Sequence, residues 1–149
     1  MIKIRKGKKE DVPAMLELIK ELASYENALE KVETTEEQML KDGFGPEPIF
    51  HALVAESHQV IVGIVIYYFR YSTWKGKRLY LEDIVVTESQ RGQGVGKLLF
   101  DATIEASKEH NCTGMMWQVL NWNQSAIAFY NKYGAELDHE WINCHLSNS

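Results

Sequence analysis

Arg91-Gly92-Gln93-Gly94-Val95-Gly96 stands between two differently patterned stretches of the chain. Before it, residues 79–87 form an apolar run with many β-branched side chains, the pattern of a strand. After it, Val95, Leu98, Leu99, Ala102 and Ala106 recur at helical spacing. Strand, glycine-rich turn and helix together make a phosphate-binding arrangement. Glycine lets the backbone turn tightly and approach a ligand closely. The helix that follows offers N–H groups and the positive end of its dipole to an anion.

Spacing decides between the known glycine signatures. A P-loop requires G-x-x-x-x-G-K-[ST], but Gly96-Lys97 is followed by Leu98, and Arg91 stands where the first glycine belongs. A dinucleotide fingerprint requires G-x-G-x-x-G. Gly92 and Gly94 lead to Lys97, and Gly94 and Gly96 lead to Leu99, so neither frame fits. The pattern [QR]-x-x-G-x-[GA] fits, with Arg91, Gly94 and Gly96.

Working outward, residues 2–5 alternate as a first strand, and the basic run Lys3, Arg5, Lys6, Lys8, Lys9 reads as its solvated face. Val12, Met15, Leu16, Ile19, Leu22 and Ala23 mark a helix that fades by residues 25–28, with Pro13 in its first turn. Thr34 and Glu37 have capping-box spacing and start a second helix, closed by residues 43–46. Residues 50–56 and 60–71 form a hairpin about a tight connection at 57–59, and residues 72–77 turn into the strand over 78–87. Further on come a strand over 114–120, a short helix over 125–133 closed by Gly134, and a last strand over 141–146. A hairpin plus a strand–helix–strand crossover predicts an α/β (α+β) fold: one domain over residues 1–149, with a mixed, mostly antiparallel sheet of 6–7 strands and about four flanking helices.

The chain has 149 residues and a formal net charge of −5, which disfavours nucleic acid as the main partner and suits a cationic substrate. No apolar run reaches the roughly 18–20 residues of a membrane span. The charged N-terminus lacks the apolar core of a signal peptide, so the reading is a cytoplasmic protein without a membrane partner. Cys112 and Cys144 form no framework and read as reduced, buried thiols. The five histidines show no ligand spacing, so no metal is expected.

The glycine pattern, the strand before it, the helix after it and the downstream Asn123 and Phe129-Tyr130 resemble the GNAT acetyltransferase superfamily. Tyr67-Tyr68-Phe69, Trp74, Leu79-Tyr80-Leu81-Glu82-Asp83, Trp122-Asn123 and Ile127-Ala128-Phe129-Tyr130 are similar to its diamine and polyamine branch, spermidine/spermine and thialysine acetyltransferases. So are Leu18-Ile19-Lys20-Glu21-Leu22-Ala23 and Asp42-Gly43-Phe44-Gly45. The hairpin connection is shorter than in the animal enzymes, and their tail after the last strand is missing, which leaves the exact amine open.

The resemblance implies the GNAT fold, acetyl-CoA as co-substrate, a small cationic amine as acceptor, direct attack in a ternary complex, and a homodimer. Arg91, Gly92, Gln93, Gly94, Val95, Gly96 and Lys97 would hold the pyrophosphate. The backbone of Ile84, Val85 and Val86 would hold the pantetheine arm and the oxyanion, and Asn123 and Ser125 would contact the coenzyme beside Tyr130. Tyr130 is the candidate general acid, since a phenol titrating near about 10 suits a thiolate leaving group. Glu82 is the candidate base, directly or through water. It stands beside Asp83 in an apolar strand, and two close carboxylates raise each other's pKa and attract a cation. Alternation puts them on opposite faces unless a bulge intervenes, as the family has near here. Tyr25, Glu26, Glu82, Asp83, Trp117 and Glu140 are the candidate amine-binding set: carboxylates take the charge, and rings take cation–π contacts. A peptide or aminoglycoside acceptor, or a non-catalytic coenzyme-binding module, would keep the same fold.

Overall fold

The computed structural model describes residues 1–148. Its elements follow one another as β1 (Ile2–Lys6), α1 (Val12–Tyr25), α2 (Glu36–Phe44), β2 (His51–Ser57), β3 (Val60–Ser72), β4 (Gly76–Val86), α3 (Val95–Glu109), β5 (Gly114–Trp117) and α4 (Gln124–Asn131). They divide into two compact units, one from Met1 to Trp117 and one from Gln118 onward. No described helix is long and apolar enough to cross a membrane.

The first unit holds a five-stranded sheet in the order β1-β2-β3-β4-β5. β1 to β4 pair antiparallel in chain order, and β4 pairs parallel with β5 through the α3 crossover. His58 and Gln59 take positive φ in the β2–β3 connection, which lets the hairpin close in two residues. One sheet face carries Ala52, Val54, Ile64, Ile66 and Val85 against Val12, Met15, Leu16 and Leu18 of α1 and Met39 of α2. The other faces α3: a Cβ on Gly63 would crowd Leu99, so the missing side chain lets helix and sheet meet. Burying each such aliphatic side chain contributes about 1.5–3 kcal/mol. Arg5 is not merely solvated. Its guanidinium pairs with Asp11 at 2.8 Å and Glu56 at 2.9 Å, holding the Asp11 carboxyl below its ordinary value.

Three expectations need correction. The sheet has five strands, not six or seven, because residues 141–146 form no ladder. Trp141, Ile142 and Leu146 are exposed there, and Asp138 engages the Glu140 N–H at 3.0 Å and the Trp141 indole at 2.8 Å in a local turn. Neither cysteine is buried: Cys144, in the same segment, is exposed, and Cys112 is half-buried. The second helix is capped by Thr35, whose hydroxyl accepts from the Gln38 N–H at 3.1 Å, so the cap lies one residue beyond Thr34.

Candidate active site

β4 organises the first unit's candidate residues. Its pairing with β3 shifts register: Ile66 faces Asp83 and Tyr67 faces Leu81, leaving Glu82 as the extra residue of a β-bulge. The consequence is geometric. Tyr68 faces Tyr80, so alternation puts Glu82 on that same face, and the pairing of Asp83 with Ile66 returns Asp83 to it as well. Two sequence-adjacent carboxylates thus share the α1/α2 face of the sheet.

Their electrostatics follow from that placement. Burial, then Glu82, then Glu26, raise the Asp83 carboxyl to about 7. Burial also raises Glu26, at the end of α1. Tyr68 donates its hydroxyl to Glu82 at 3.1 Å, and its phenol is pushed up to about 12 by burial and by that carboxylate. The bulge therefore gathers Glu26, Glu82 and Asp83. Beside it, a groove of about 380 Å³ is lined by Asp42, Ile49, Phe50, Ile66, Tyr68 and Glu82.

The same strand opens an edge. β5 pairs with β4 only from Arg78 to Leu81, ending where Leu81 faces Trp117. Among the described residues, Glu82 to Val86 have no strand partner on that side, so the backbone of Ile84, Val85 and Val86 is available for an extended ligand to add as a strand. Beyond the edge lies the glycine turn. Gly92 and Gly94 have φ of 77° and 84°, a region only glycine enters freely. A Cβ on either would meet nothing within 4 Å, so the space over the turn is open. Gly94 caps α3, whose first N–H groups have no intrahelical acceptor, while Val95 is buried and Gly96 approaches Val86. An anionic pyrophosphate fits this cradle.

Arg91 serves the turn from below. It donates from Nε to the Val86 carbonyl at 3.0 Å, reaches Glu21 at 3.4 Å and lies over the Tyr25 ring at 5.6 Å. Glu21 also accepts from the Thr87 hydroxyl at 2.9 Å and the Glu88 N–H at 3.0 Å. One carboxylate on α1 thus ties the end of β4 to the helix that carries Tyr25 and Glu26. Lys97 pairs with Asp101 at 2.8 Å. Gln93 is exposed on the turn.

The structure does not bring Trp117 to the acidic face. Trp117 is the register partner of Leu81 and packs edge-on against Phe100 of α3 at 5.3 Å, on the opposite side of the sheet. In the second unit, Asn123 caps α4 by accepting from the Ala126 N–H at 3.2 Å and the Ser125 hydroxyl at 3.3 Å. Tyr130 is buried on α4, its ring edge-on to Phe129 at 5.5 Å. Glu140 is exposed beyond it. Sequence reading missed Glu21 and Tyr68 as site residues. Glu21 stands one helical turn before Tyr25, which is a usable signal, but its partners lie 66 to 70 residues away.

Comparison with known proteins identifies the family and the fold. The model of the Acetyltransferase (GNAT) family matches residues 13–135. The chain is 40% identical over 143 residues to thialysine N-epsilon-acetyltransferase of Bos taurus, covering 91% of this chain and 84% of that protein. It is 40% identical over 139 residues to spermidine/spermine N(1)-acetyltransferase-like protein 1 of Homo sapiens, covering 89% of this chain and 20% of that longer protein. The fold matches a crystal structure of an aminoglycoside acetyltransferase from an uncultured soil metagenomic sample, with a TM-score of 0.80 at 20% identity, over 99% of this chain and 97% of the other. On the extent of these matches, the chain belongs to the GNAT acetyltransferase family and has its fold.

Proposed function

We propose that the protein transfers an acetyl group from acetyl-CoA to a primary amine of a small cationic acceptor, a polyamine, a diamine or a lysine-like amino acid, by direct attack in a ternary complex. One observation carries the reading: β4 combines an open backbone edge, leading into the glycine turn, with a bulge that puts Glu82 and Asp83 on one face. The edge and turn suit the donor; the carboxylates suit the acceptor. The thialysine and spermidine/spermine acetyltransferases among its relatives support a cationic amine.

Bound acetyl-CoA supplies an activated thioester carbonyl. The turn from Arg91 to Lys97 holds its pyrophosphate through backbone N–H groups, and an N–H among Ile84, Val85 and Val86 donates to the carbonyl oxygen, where negative charge develops. Asn123 and Ser125 contact the coenzyme. Glu82 and Asp83 bind the ammonium together with Tyr25 and Glu26, and the pair takes its proton, directly or through water. An ordinary carboxylate is a weak base for an ammonium. Asp83, its carboxyl raised to about 7 by burial and then by Glu82 and Glu26, makes the pair better matched. Its proton affinity also rises as the cation it faces becomes neutral. Tyr130 gives a proton to the departing thiolate. The working unit in this reading is a homodimer acting in the cytoplasm, and light scattering of the purified protein tests the dimer.

The experiment is release of free CoA thiol from acetyl-CoA by purified protein with a panel of polyamines, diamines, lysine and peptides. Turnover on small cationic amines is expected, and none on any amine removes the proposal. Glu82→Gln and Tyr130→Phe should each lower kcat by about 10²-fold while acetyl-CoA binding survives. Loss of coenzyme binding in either would reassign that residue.

A further inference from the structure

The groove beside the bulge carries information about the acceptor that the glycine turn and the carboxylate pair do not. Its two acidic residues come from different elements, Asp42 from α2 and Glu82 from the bulge of β4, and the rest of its lining is Ile49, Phe50, Ile66 and Tyr68. Its shape is set by specific contacts. The Ile49 N–H bonds to the Asp42 carbonyl at 2.7 Å, folding the approach to β2 back onto α2. Phe50 packs where a Cβ on residue 43 would overlap its ring, so Gly43 lets this wall stand against α2. Phe44 meets Phe50 edge-on at 6.1 Å and backs it. Of the six lining residues two are acidic and none is basic, and none of the ion pairs among the described residues involves Asp42.

A groove lined by three large apolar residues and by an acidic residue from each of two elements complements a hydrocarbon chain with a cation at both ends. We infer that this groove is the acceptor's subsite: the carbon chain lies along Ile49, Phe50 and Ile66, the reacting nitrogen sits at Glu82, and Asp42 receives a second ammonium. The inference rests on the amine-acetyltransferase reading and narrows it. A lysine-like acceptor would bring an α-carboxylate into a groove with acidic walls and no basic partner, so a linear diamine or polyamine is favoured over an amino acid. Asp42 is then a specificity residue that touches the far end of the substrate and takes no part in the proton transfer.

The test compares kcat/KM for 1,5-diaminopentane, pentylamine and lysine at saturating acetyl-CoA, in the wild-type protein and in Asp42→Asn and Asp42→Lys. The wild type should prefer the diamine to both others by roughly tenfold or more, the size of one partly buried charge contact. Asp42→Asn should bring the diamine close to pentylamine while pentylamine itself stays within about twofold. Asp42→Lys should lower the diamine further and raise lysine relative to it. An unchanged diamine-to-pentylamine ratio in both variants overturns the inference, as does a wild-type preference for lysine, with the acetyltransferase reading intact. Absence of turnover on all three amines in the wild type overturns that reading and this inference together. Calorimetric binding of the diamine to wild type and Asp42→Asn gives a second readout: equal affinities overturn the subsite whatever the turnover.

Discussion

Burial and the neighbouring Glu82 and Glu26 hold the Asp83 carboxyl at about 7, against an ordinary value of 3.8. Between those two values the native state keeps a proton that the unfolded chain has released. The native state then binds more protons, so stability falls as pH rises through this window. Asparagine cannot ionise, so Asp83→Asn should melt with the wild type near pH 4 and a few degrees above it at pH 8. Calorimetric melts at the two pH values check this, and a difference that does not grow with pH would contradict the coupling. The residues of this pair were legible in the sequence, as two adjacent acids in an apolar strand. Their shared face was suggested only by the family resemblance, which carries a bulge near here, because it depends on a register shift against β3 that no local pattern encodes.

At the scale of elements, the turn into α3 separates two uses of glycine. Gly94 has φ of 84°, where a side chain costs roughly 1–2 kcal/mol, yet its Cβ would meet nothing within 4 Å. Gly96 lies in the first turn of α3, and its Cβ would touch Val86 at an ordinary 3.9 Å. Gly94→Ala should therefore lower the melting temperature and raise KM for acetyl-CoA by about tenfold, since the methyl enters the space meant for the anion. Gly96→Ala should be neutral or slightly stabilising, as alanine is the better helix former by about 1 kcal/mol. Equal effects of the two substitutions on KM would remove the distinction. The glycine turn was readable because its chemistry is local: spacing alone separated it from nucleotide loops. The tie from Glu21 to Thr87, Glu88 and Arg91 was not, since it joins α1 to the end of β4 and exists only once the sheet has formed.

Across the whole molecule, element order and the crossover were legible because hydrophobic period and turn residues repeat the fold's own geometry. The expected last strand failed for a complementary reason. Residues 141–146 have the composition of a strand, but a strand exists only where a partner strand pairs with it, and composition does not report that long-range pairing. Charge is the property that acts at this scale without such detail. The chain carries a formal net charge of −5, and Asp42, Glu82 and Asp83 come together on the α1/α2 side of the sheet, with Glu26 close enough to raise Asp83. A multiply charged amine should be drawn toward that face before contact, and salt should screen the attraction as the Debye length falls from about 30 Å at 0.01 M to about 3 Å at 1 M. With acetyl-CoA held saturating at every ionic strength, kcat/KM for a diamine should fall several-fold from about 0.02 M to 0.5 M salt, with kcat nearly constant. Pentylamine, carrying one charge, should fall less steeply. Parallel slopes for the two amines would show that the acidic face acts only on contact, and would remove long-range steering from the account.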